Sequence, residues 1–540
     1  MTSINRKSIL KKLISSGCQI SPDALEYIMG NEAPMQLVDM ILSRIKQTRV
    51  STVLSKSDLT TLERKRILPQ KRSKPKANKE PLIMEEPPDT PSPNLKKNDN
   101  KIAVIKNPTF GEVGSSGCFE DFLALFTDRF ERIKGIYTSR IDTRGALTPG
   151  AAKERKHDAQ HWKALAKEGG RRARPPKQKV IGMIRNKRTS RSRNIIVELE
   201  DEEDSIICVI PSNREGLTGS RLVEKGNSLL LDEVVCISGY IDQDGRLIAD
   251  DILYPDVPTT RPAGRADRDV YAAFISDIHY GSTEFLEDEF DRFIDWLSGK
   301  DVNSEDKNTI NSIEYLFISG DIVDGIGVYP TQQDNLLIPD LYDQYKMIAQ
   351  KIRKIPDRIQ VIIIPGNHDA SRQALPKPPI SEVFAKPLYE LKNQVMLLGD
   401  PAVVRVEGVE VLLTHGDSLD DLVVNTPGAS YKNPAVGMKE LLQKRHLVPL
   451  YGGKTELAPL HRDWMVIDTP PDIVHFGHAH HNAVDNYRGI QIINSGTFQA
   501  QTDFMRKQGI IPTPGIVTLI NLRNGAPQIE FFYDMTKLDV

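Results

Sequence analysis

Residues 314–325 read EYLFISGDIVDG. A nearly unbroken apolar run, Tyr315 to Ile318, leads into Gly320 and then two carboxylates, Asp321 and Asp324. A strand this uniformly apolar is one covered on both faces. Carboxylates just beyond its end lie at the rim of the sheet, where open α/β sheets place their ligands. Four further segments repeat the design. YAAFISDIHYG (271–281) ends in Asp277 and His279, and IQVIIIPGNHDAS (359–371) in Asn367 and His368. VEVLLTHGDS (409–418) supplies His415, and DIVHFGHAHHN (472–482) supplies His478 and His480. A helix expected from Glu284 carries Phe290, Phe293, Ile294 and Leu297 on one side, suited to packing over such a sheet.

The five strand ends present aspartate, histidine and asparagine, with glycine at the tight turns and no cysteine. Asp277 and His279, like His478 and His480, are two apart, which puts each pair on one side of an extended segment. Imidazole with carboxylate suits Mn, Fe or Zn, whereas an all-oxygen cage suits Mg or Ca. Two divalent ions bridged by a shared carboxylate, about 3.5–4 Å apart, are the arrangement that attacks phosphate esters. Asp369, Asp417 and Asp420 read as helix caps or supports for the ligands, and His446 and His461 as structural or surface residues. His475 lies inside its strand and His481 points away from the ligand pair.

The motifs DIH, GDIVD, GNHD, the lone His415 and GHAH resemble those of the calcineurin-like metallophosphoesterase superfamily. The resemblance implies that Asp277, His279, Asp321 and His480 hold one metal. It implies that Asp321 bridges to a second, completed by Asn367, His415 and His478. His368 would face the scissile phosphate, oriented by Asp324, and assist the leaving oxygen while a metal-bound hydroxide attacks in line. The cofactors implied are two divalent ions: manganese first, with Mg, Fe or Zn as alternatives. Serine/threonine phosphatases of the superfamily carry arginine directly after the second aspartate of GDxxD; here Gly325 stands there, which argues against a phosphatase.

Outward from this core the chain changes character. Residues 1–65 read as a small helical domain, with Ser21 and Pro22 as N-cap and first helical residue, Gly30 as a stop, and Leu37, Ile41 and Ile45 at helical spacing. Residues 66–105, rich in Pro, Lys and Asn, read as a disordered linker. Residues 106–176 hold a helix from Phe119 and a basic segment; between Lys153 and Arg193 there are 15 Lys or Arg against 3 Asp or Glu. Residues 177–260 alternate apolar and polar residues in five short strands, the pattern of an OB-fold barrel. The basic turn RNKRTSRSRN there offers Arg185, Lys187, Arg188, Arg191 and Arg193 to DNA. Residues 261–540 form the metallophosphoesterase domain, a β-sandwich flanked by helices. The fold class expected is multidomain, α/β with an all-β barrel.

Helical module, linker, basic segment, barrel and phosphoesterase, in that order, resemble the small subunits of replicative DNA polymerases. KRHLVPLYGGKTELAPLHRDWMVIDTPPDIVHFGHAHHN and INSGTFQAQTDF resemble the small-subunit family of the archaeal D-family polymerases in particular. That resemblance implies a 3′ to 5′ proofreading exonuclease, a large catalytic partner subunit that holds the polymerisation site, and DNA as primer-template or single-stranded 3′ ends. A sliding clamp is a further candidate partner. A catalytically silent scaffold and a stand-alone repair nuclease are the alternatives. No second carboxylate constellation suited to polymerisation is found in the sequence. No apolar run is long enough to span a bilayer, the N-terminus lacks a signal core, and the scattered Cys18, Cys118, Cys208 and Cys236 form no disulfide or zinc pattern. A cytoplasmic protein is expected.

Overall fold

The computed structural model describes residues 9, 19–20, 22–29, 38, 53–54, 101–156, 176–213, 216–300, 302, 306–534 and 536. The chain divides into two compact units, Met1–Ser92 and Pro93–Val540. In the first, the strands Gln19–Ile20 and Val53–Leu54 pair in parallel, and a helix runs Pro22–Met29 with proline at its start. Leu37, Ile41 and Ile45, residues 66–100 of the expected linker and the basic residues Lys163 to Arg174 lie outside the described residues.

Two six-stranded sheets form the centre of the second unit. The first runs, in spatial order, Val395–Leu397, Gln360–Ile364, Ile313–Ser319, Tyr271–Ile275, Ile516–Asn521 and Pro527–Phe531. Its first four strands are parallel, which places the ends after Ile275, Ser319 and Ile364 along one rim. The second runs Ala483–Tyr487, Ile490–Asn494, Ile473–Phe476, Val409–Leu413, Ala402–Val406 and Ile102–Lys106. There Val409–Leu413 and Ile473–Phe476 are parallel and bring the other two motif ends to the same rim.

Alternation within each strand builds the layers. Phe274, Phe317 and Ile362 of the first sheet meet Val404, Val411, Leu413 and Ile473 of the second between the sheets. The rings of Phe274 and Phe317 stack at 5.1 Å there, and each buried side chain of this size contributes about 1.5–3 kcal/mol. Neighbouring residues turn outward. Ala273, Ile275, Leu316 and Ile318 lie beneath Phe290, Phe293, Ile294 and Leu297 of the helix Glu287–Leu297. Leu412, Val474 and Ile492 lie beneath Met438, Leu441 and Leu442 of the helix Pro434–Lys444. The result is a sheet-on-sheet sandwich with helices outside both sheets.

Residues 178–253 close a five-stranded barrel in the order Gln178–Thr189, Ile195–Glu200, Ser205–Ile210, Leu247–Leu253, Val234–Ile241. The third and fifth strands in sequence pair in parallel, and the helix Leu217–Asn227 lies between the third and fourth. Two expectations need correction. Residues 102–105, assigned to the linker, belong to the edge strand Ile102–Lys106, because Ile102 to Lys106 find open main-chain partners along Ala402–Val406. The basic stretch is only partly a turn, since the first barrel strand runs on to Thr189 and takes Arg185, Lys187 and Arg188 with it.

The helix Phe119–Ser139 packs Phe130, Ile133 and Tyr137 against Ile181, Met183 and Val234 of the barrel and Val466 beside the sandwich. At this seam Arg129, fully buried, donates from Nε to Asp463 Oδ2 at 2.7 Å and from Nη1 to the carbonyls of Pro449 (2.7 Å) and Asp232 (3.1 Å). His446 Nε2 donates to the same Asp463 oxygen at 2.8 Å, while its Nδ1 accepts the Val448 N–H at 3.1 Å. Burial, reinforced by the Arg129 charge and only partly offset by Asp463, lowers His446 to about 4. A second ring proton would have to displace the Val448 N–H.

Below about pH 6.5 the unfolded chain binds a proton that the folded His446 refuses, so stability is lost as pH falls from there toward 4. The loss contributed by this group approaches roughly 3 kcal/mol. Denaturant melts at pH 7.5, 6 and 5 should show this slope in the wild type and a flatter one in His446→Gln. Parallel slopes would contradict it.

Candidate metal centre

The strands stop at Ile275, Ser319, Ile364, Leu413 and Phe476, and the chain turns at once. The turns are not the extended segments that a spacing of two suggests. Asp277, His279, Asp321, His478 and His480 all adopt left-handed backbone, with φ of 51°, 51°, 52°, 65° and 53°. Such residues cost about 1 kcal/mol or more each and persist where surrounding structure holds them. Here each ligand pair comes from two left-handed residues flanking one of ordinary backbone, Ile278 or Ala479, not from strand pleat. Hydrogen bonds fix the turns: His478 N–H donates to Asp277 Oδ2 at 3.0 Å, His368 N–H to Asp321 Oδ1 at 2.8 Å, and Thr497 Oγ1–H to the Asp277 carbonyl at 2.7 Å.

The structure brings all seven predicted ligands together. His480 Nε2 lies 3.3 Å from Asp277 Oδ1 and 3.1 Å from His279 Nε2. Asp321 Oδ2 lies 3.7 Å from His279 Nε2 and 3.3 Å from His415 Nε2, so it faces both halves of the site. Asn367 Oδ1 is 2.9 Å from His415 Nε2 and 3.1 Å from His478 Nδ1.

Partners behind the rings decide what those contacts mean. His279 Nδ1 meets the Asp324 carboxylate at 3.0 Å, His415 Nδ1 the Ser319 carbonyl at 2.8 Å, and His478 Nε2 the Asp420 carboxylate at 3.0 Å. Each outer nitrogen must donate, which leaves the inner nitrogen of a neutral ring as a lone pair. Lone pairs then face carboxylate and amide oxygens across the site, acceptor against acceptor. Against the carboxylates only positive charge between them makes that favourable, whereas a turned Asn367 amide would itself donate to His415 and His478. A proton is one solution: burial would lower His415, but the charge and hydrogen bond of Asp321 raise it to about 10. Divalent cations are the other, and the donor set of imidazole, carboxylate and one amide oxygen fits them. His480 Nδ1 is buried with no hydrogen-bond partner among the described residues, so this ring lacks the outer acceptor that fixes His279, His415 and His478.

His368 sits beside this cluster, its ring 4.6 Å from that of His279. Asp324 orients it differently from the expectation. The main-chain carbonyl of Asp324 accepts from His368 Nδ1 at 2.7 Å, whereas the carboxylate lies 4.0 Å away. That carboxylate is already engaged by His279, by Gln332 Nε2 at 2.9 Å and by Gln499 Nε2 at 3.2 Å. Burial lowers the His368 pKa against the pull of the Asp321 charge.

The supporting aspartates separate by role. Asp420 holds His478 and accepts from the Tyr431 hydroxyl at 2.7 Å. Asp417 pairs with the wholly buried Lys377 at 2.7 Å. Asp369 accepts the Gly366 N–H at 2.9 Å and shapes the turn that carries Asn367. His475 sits between the hydroxyls of Ser319 (2.8 Å) and Ser495 (2.7 Å), and His481 Nδ1 faces the Ile511 carbonyl. Gln332, Gln499, Tyr431 and Lys377 carry no motif, and nothing in the local sequence marks them.

The proposed DNA contacts lie on the barrel, apart from this cluster. Arg188, Arg191 and Arg193 are exposed, and exposed Arg185 faces Glu200 at 3.6 Å and Glu198 at 3.8 Å. The half-buried Lys187 donates from its ammonium to the carbonyls of Asn227 (2.6 Å) and Leu229 (2.8 Å), capping the helix Leu217–Asn227.

Close approach in the last motif depends on a missing side chain. A Cβ on Gly477 would lie 2.6 Å from Asp277 Oδ2 and 2.6 Å from Ser276 Oγ. Gly477→Ala should weaken divalent-metal affinity by roughly 10–100-fold, the effect of displacing a ligand by its support. Calorimetric titration of metal into the purified protein reads this directly, and an unchanged affinity would contradict the packing.

A family model for the B-subunit of DNA polymerases alpha and epsilon matches residues 272–484. The DNA polymerase II small subunit of Methanocaldococcus jannaschii is 39% identical over 76% of the chain and 65% of its own length, just under two thirds of that relative. The DNA polymerase II small subunit of Archaeoglobus fulgidus is 40% identical over 80% of the chain and 81% of its own length. Among solved structures, a novel archaeal phosphodiesterase aligns with 48% of the chain and 99% of its own, at 12% identity and a TM-score of 0.25.

Proposed function

The chain belongs to the family of archaeal DNA polymerase II small subunits, and from that premise we propose that it carries a metal-dependent 3′ to 5′ exonuclease that proofreads DNA. The observation that carries this reading is the complete inward-facing acceptor set, opening onto a cavity of about 490 Å³. A scaffold with no chemistry to perform would have no use for it. Asp277, His279, Asp321 and His480 would hold one divalent ion, and Asp321, Asn367, His415 and His478 a second, with manganese the first choice and Mg, Fe or Zn as alternatives. When bound, such ions supply Lewis-acid charge to the phosphate oxygens and make water a nucleophile near neutral pH.

The protein's own groups do the rest. Asp324, through its carboxylate, holds the His279 tautomer, and through its carbonyl it holds His368 with Nε2 on the cavity side. To protonate the departing 3′-oxygen from Nε2, His368 would have to act as the imidazolium, its Nδ1–H on the Asp324 carbonyl and the Asp321 charge favouring the second proton against burial. Asp420, backed by Tyr431, fixes His478 in the same way. The five-stranded barrel is read as OB-type, with Arg188, Arg191 and Arg193 on DNA phosphates, and the polymerisation site is assigned to a large partner subunit. Primer-template DNA and a sliding clamp complete the proposed partners.

His368→Ala in the complex with the large subunit should lower release of nucleotides from a labelled DNA 3′ end by roughly 10²–10³-fold. Bound metal, measured by elemental analysis, should be unchanged. Digestion at the wild-type rate would refute the reading; absence of digestion by the wild type with manganese would leave the scaffold.

A further inference from the structure

One wall of the cavity has no part in the chemistry above. Val328, Tyr329, Phe504, Met505 and Ile510 line it, an apolar surface beside a site otherwise built from charged groups. Tyr329 and Phe504 stack on each other, with ring centroids 5.7 Å apart and planes 25° from parallel. The Tyr329 ring lies 6.3 Å from that of His368. Phe504 is 52% exposed, unusual for phenylalanine in a polar site, and it is held out on the short helix Asp503–Gln508, whose N-cap Thr502 bonds the Met505 N–H. The two aromatic residues come from segments far apart in sequence, one following the GDxxD motif and one between the strands Ile490–Asn494 and Ile516–Asn521.

A phosphodiester site needs no aromatic surface to attack phosphate. A nucleic-acid site does, because every base has a π-face and stacking on Phe or Tyr is tolerant of sequence. We propose that Tyr329 and Phe504 form a stacking platform for an unpaired base of the substrate strand. This rests on the nuclease reading, and the position of His368 identifies the base. His368 faces the leaving 3′-oxygen, which belongs to the penultimate nucleotide, and Tyr329 adjoins His368; the stacked base is therefore the penultimate one. A base still paired in a duplex cannot lie flat on Phe504. The platform thus makes the site selective for 3′ ends frayed by at least two nucleotides, as a mismatched primer end is. Tyr329 and Phe504 are specificity-determining residues in this scheme.

The test uses the full chain in complex with the large subunit, manganese, and single-stranded DNA carrying one abasic residue at the penultimate or the fifth position from the 3′ end. Wild type should cleave the first bond of the fully based strand roughly tenfold more efficiently than that of the penultimate-abasic strand, the size expected of one stacked base. The fifth-position lesion should have little effect. In Phe504→Leu, and more fully in Phe504→Leu with Tyr329→Leu, this ratio should fall to near one, mainly through KM. Phe504→Tyr should preserve it. A wild type that cleaves based and penultimate-abasic ends equally, or a double variant that keeps the tenfold ratio, overturns the platform while leaving the nuclease intact. Failure of wild type to cut any substrate overturns the nuclease reading itself.

Discussion

Asp321→Ala should remove manganese-dependent digestion of DNA 3′ ends, with a fall of roughly 10⁴-fold or more. Loss of several kcal/mol from each of two ions is enough to give that factor. Its Oδ2 lies 3.3 Å from His415 Nε2 and 3.7 Å from His279 Nε2, and its Oδ1 accepts the His368 N–H at 2.8 Å. One substitution therefore removes the shared donor of both proposed ions and loosens the turn that aims His368. Burial works against the charge of Asp321, but His415 and His368 hold its carboxyl well below the usual range. Elemental analysis should show loss of bound metal together with activity, in contrast to His368→Ala. Retention of both metal and digestion by Asp321→Ala would end the two-ion reading.

The second large effect concerns stability. Arg129→Met should destabilise the second unit by about 3–5 kcal/mol, the cost of leaving a buried partner charge uncompensated. Asp463, wholly buried, would keep only the neutral His446 and main-chain donors, and the carbonyls of Pro449 and Asp232 would lose their guanidinium. Pairing Arg129→Met with Asp463→Leu should recover part of the loss, since a buried ion pair replaced as a whole is far less costly than one broken. Thermal melts of the two variants against wild type read the difference. If Arg129→Met alone melts with wild type, the seam between the helix Phe119–Ser139 and the sandwich is not held by this network.

Much of the site could be read in the sequence because its signals are local. An apolar run and the donor that follows it sit within a few residues, so Asp277, Asp321, Asn367, His415 and His478 announce themselves. What orients them comes from far away. Asp324 reaches His279 across 45 positions, Asp420 reaches His478 across 58, and Gln499 reaches Asp324 across 175. No spacing rule covers such pairs. Residue type favours left-handed backbone at aspartate and histidine only in general, and does not say that it will fall at the turns after these packed strands. Lys187 shows the converse: in the sequence it is one of a basic stretch, and only the barrel brings two carbonyls to it.

The edge strand Ile102–Lys106 pairs with Ala402–Val406, so it stands roughly 300 residues ahead of its partner and before the whole barrel. Topologically, the barrel is a domain inserted into the sandwich, not a bead strung before it. On a ribosome adding about 5–20 residues per second, the strand emerges and waits on the order of 15–60 s for the sheet it completes. During that interval the barrel can fold on its own, while Val104 and Ile105 remain an unpaired apolar segment. Excising residues 261–540 as a separate piece would strand Ala402–Val406 as a bare edge, ready to pair with another chain.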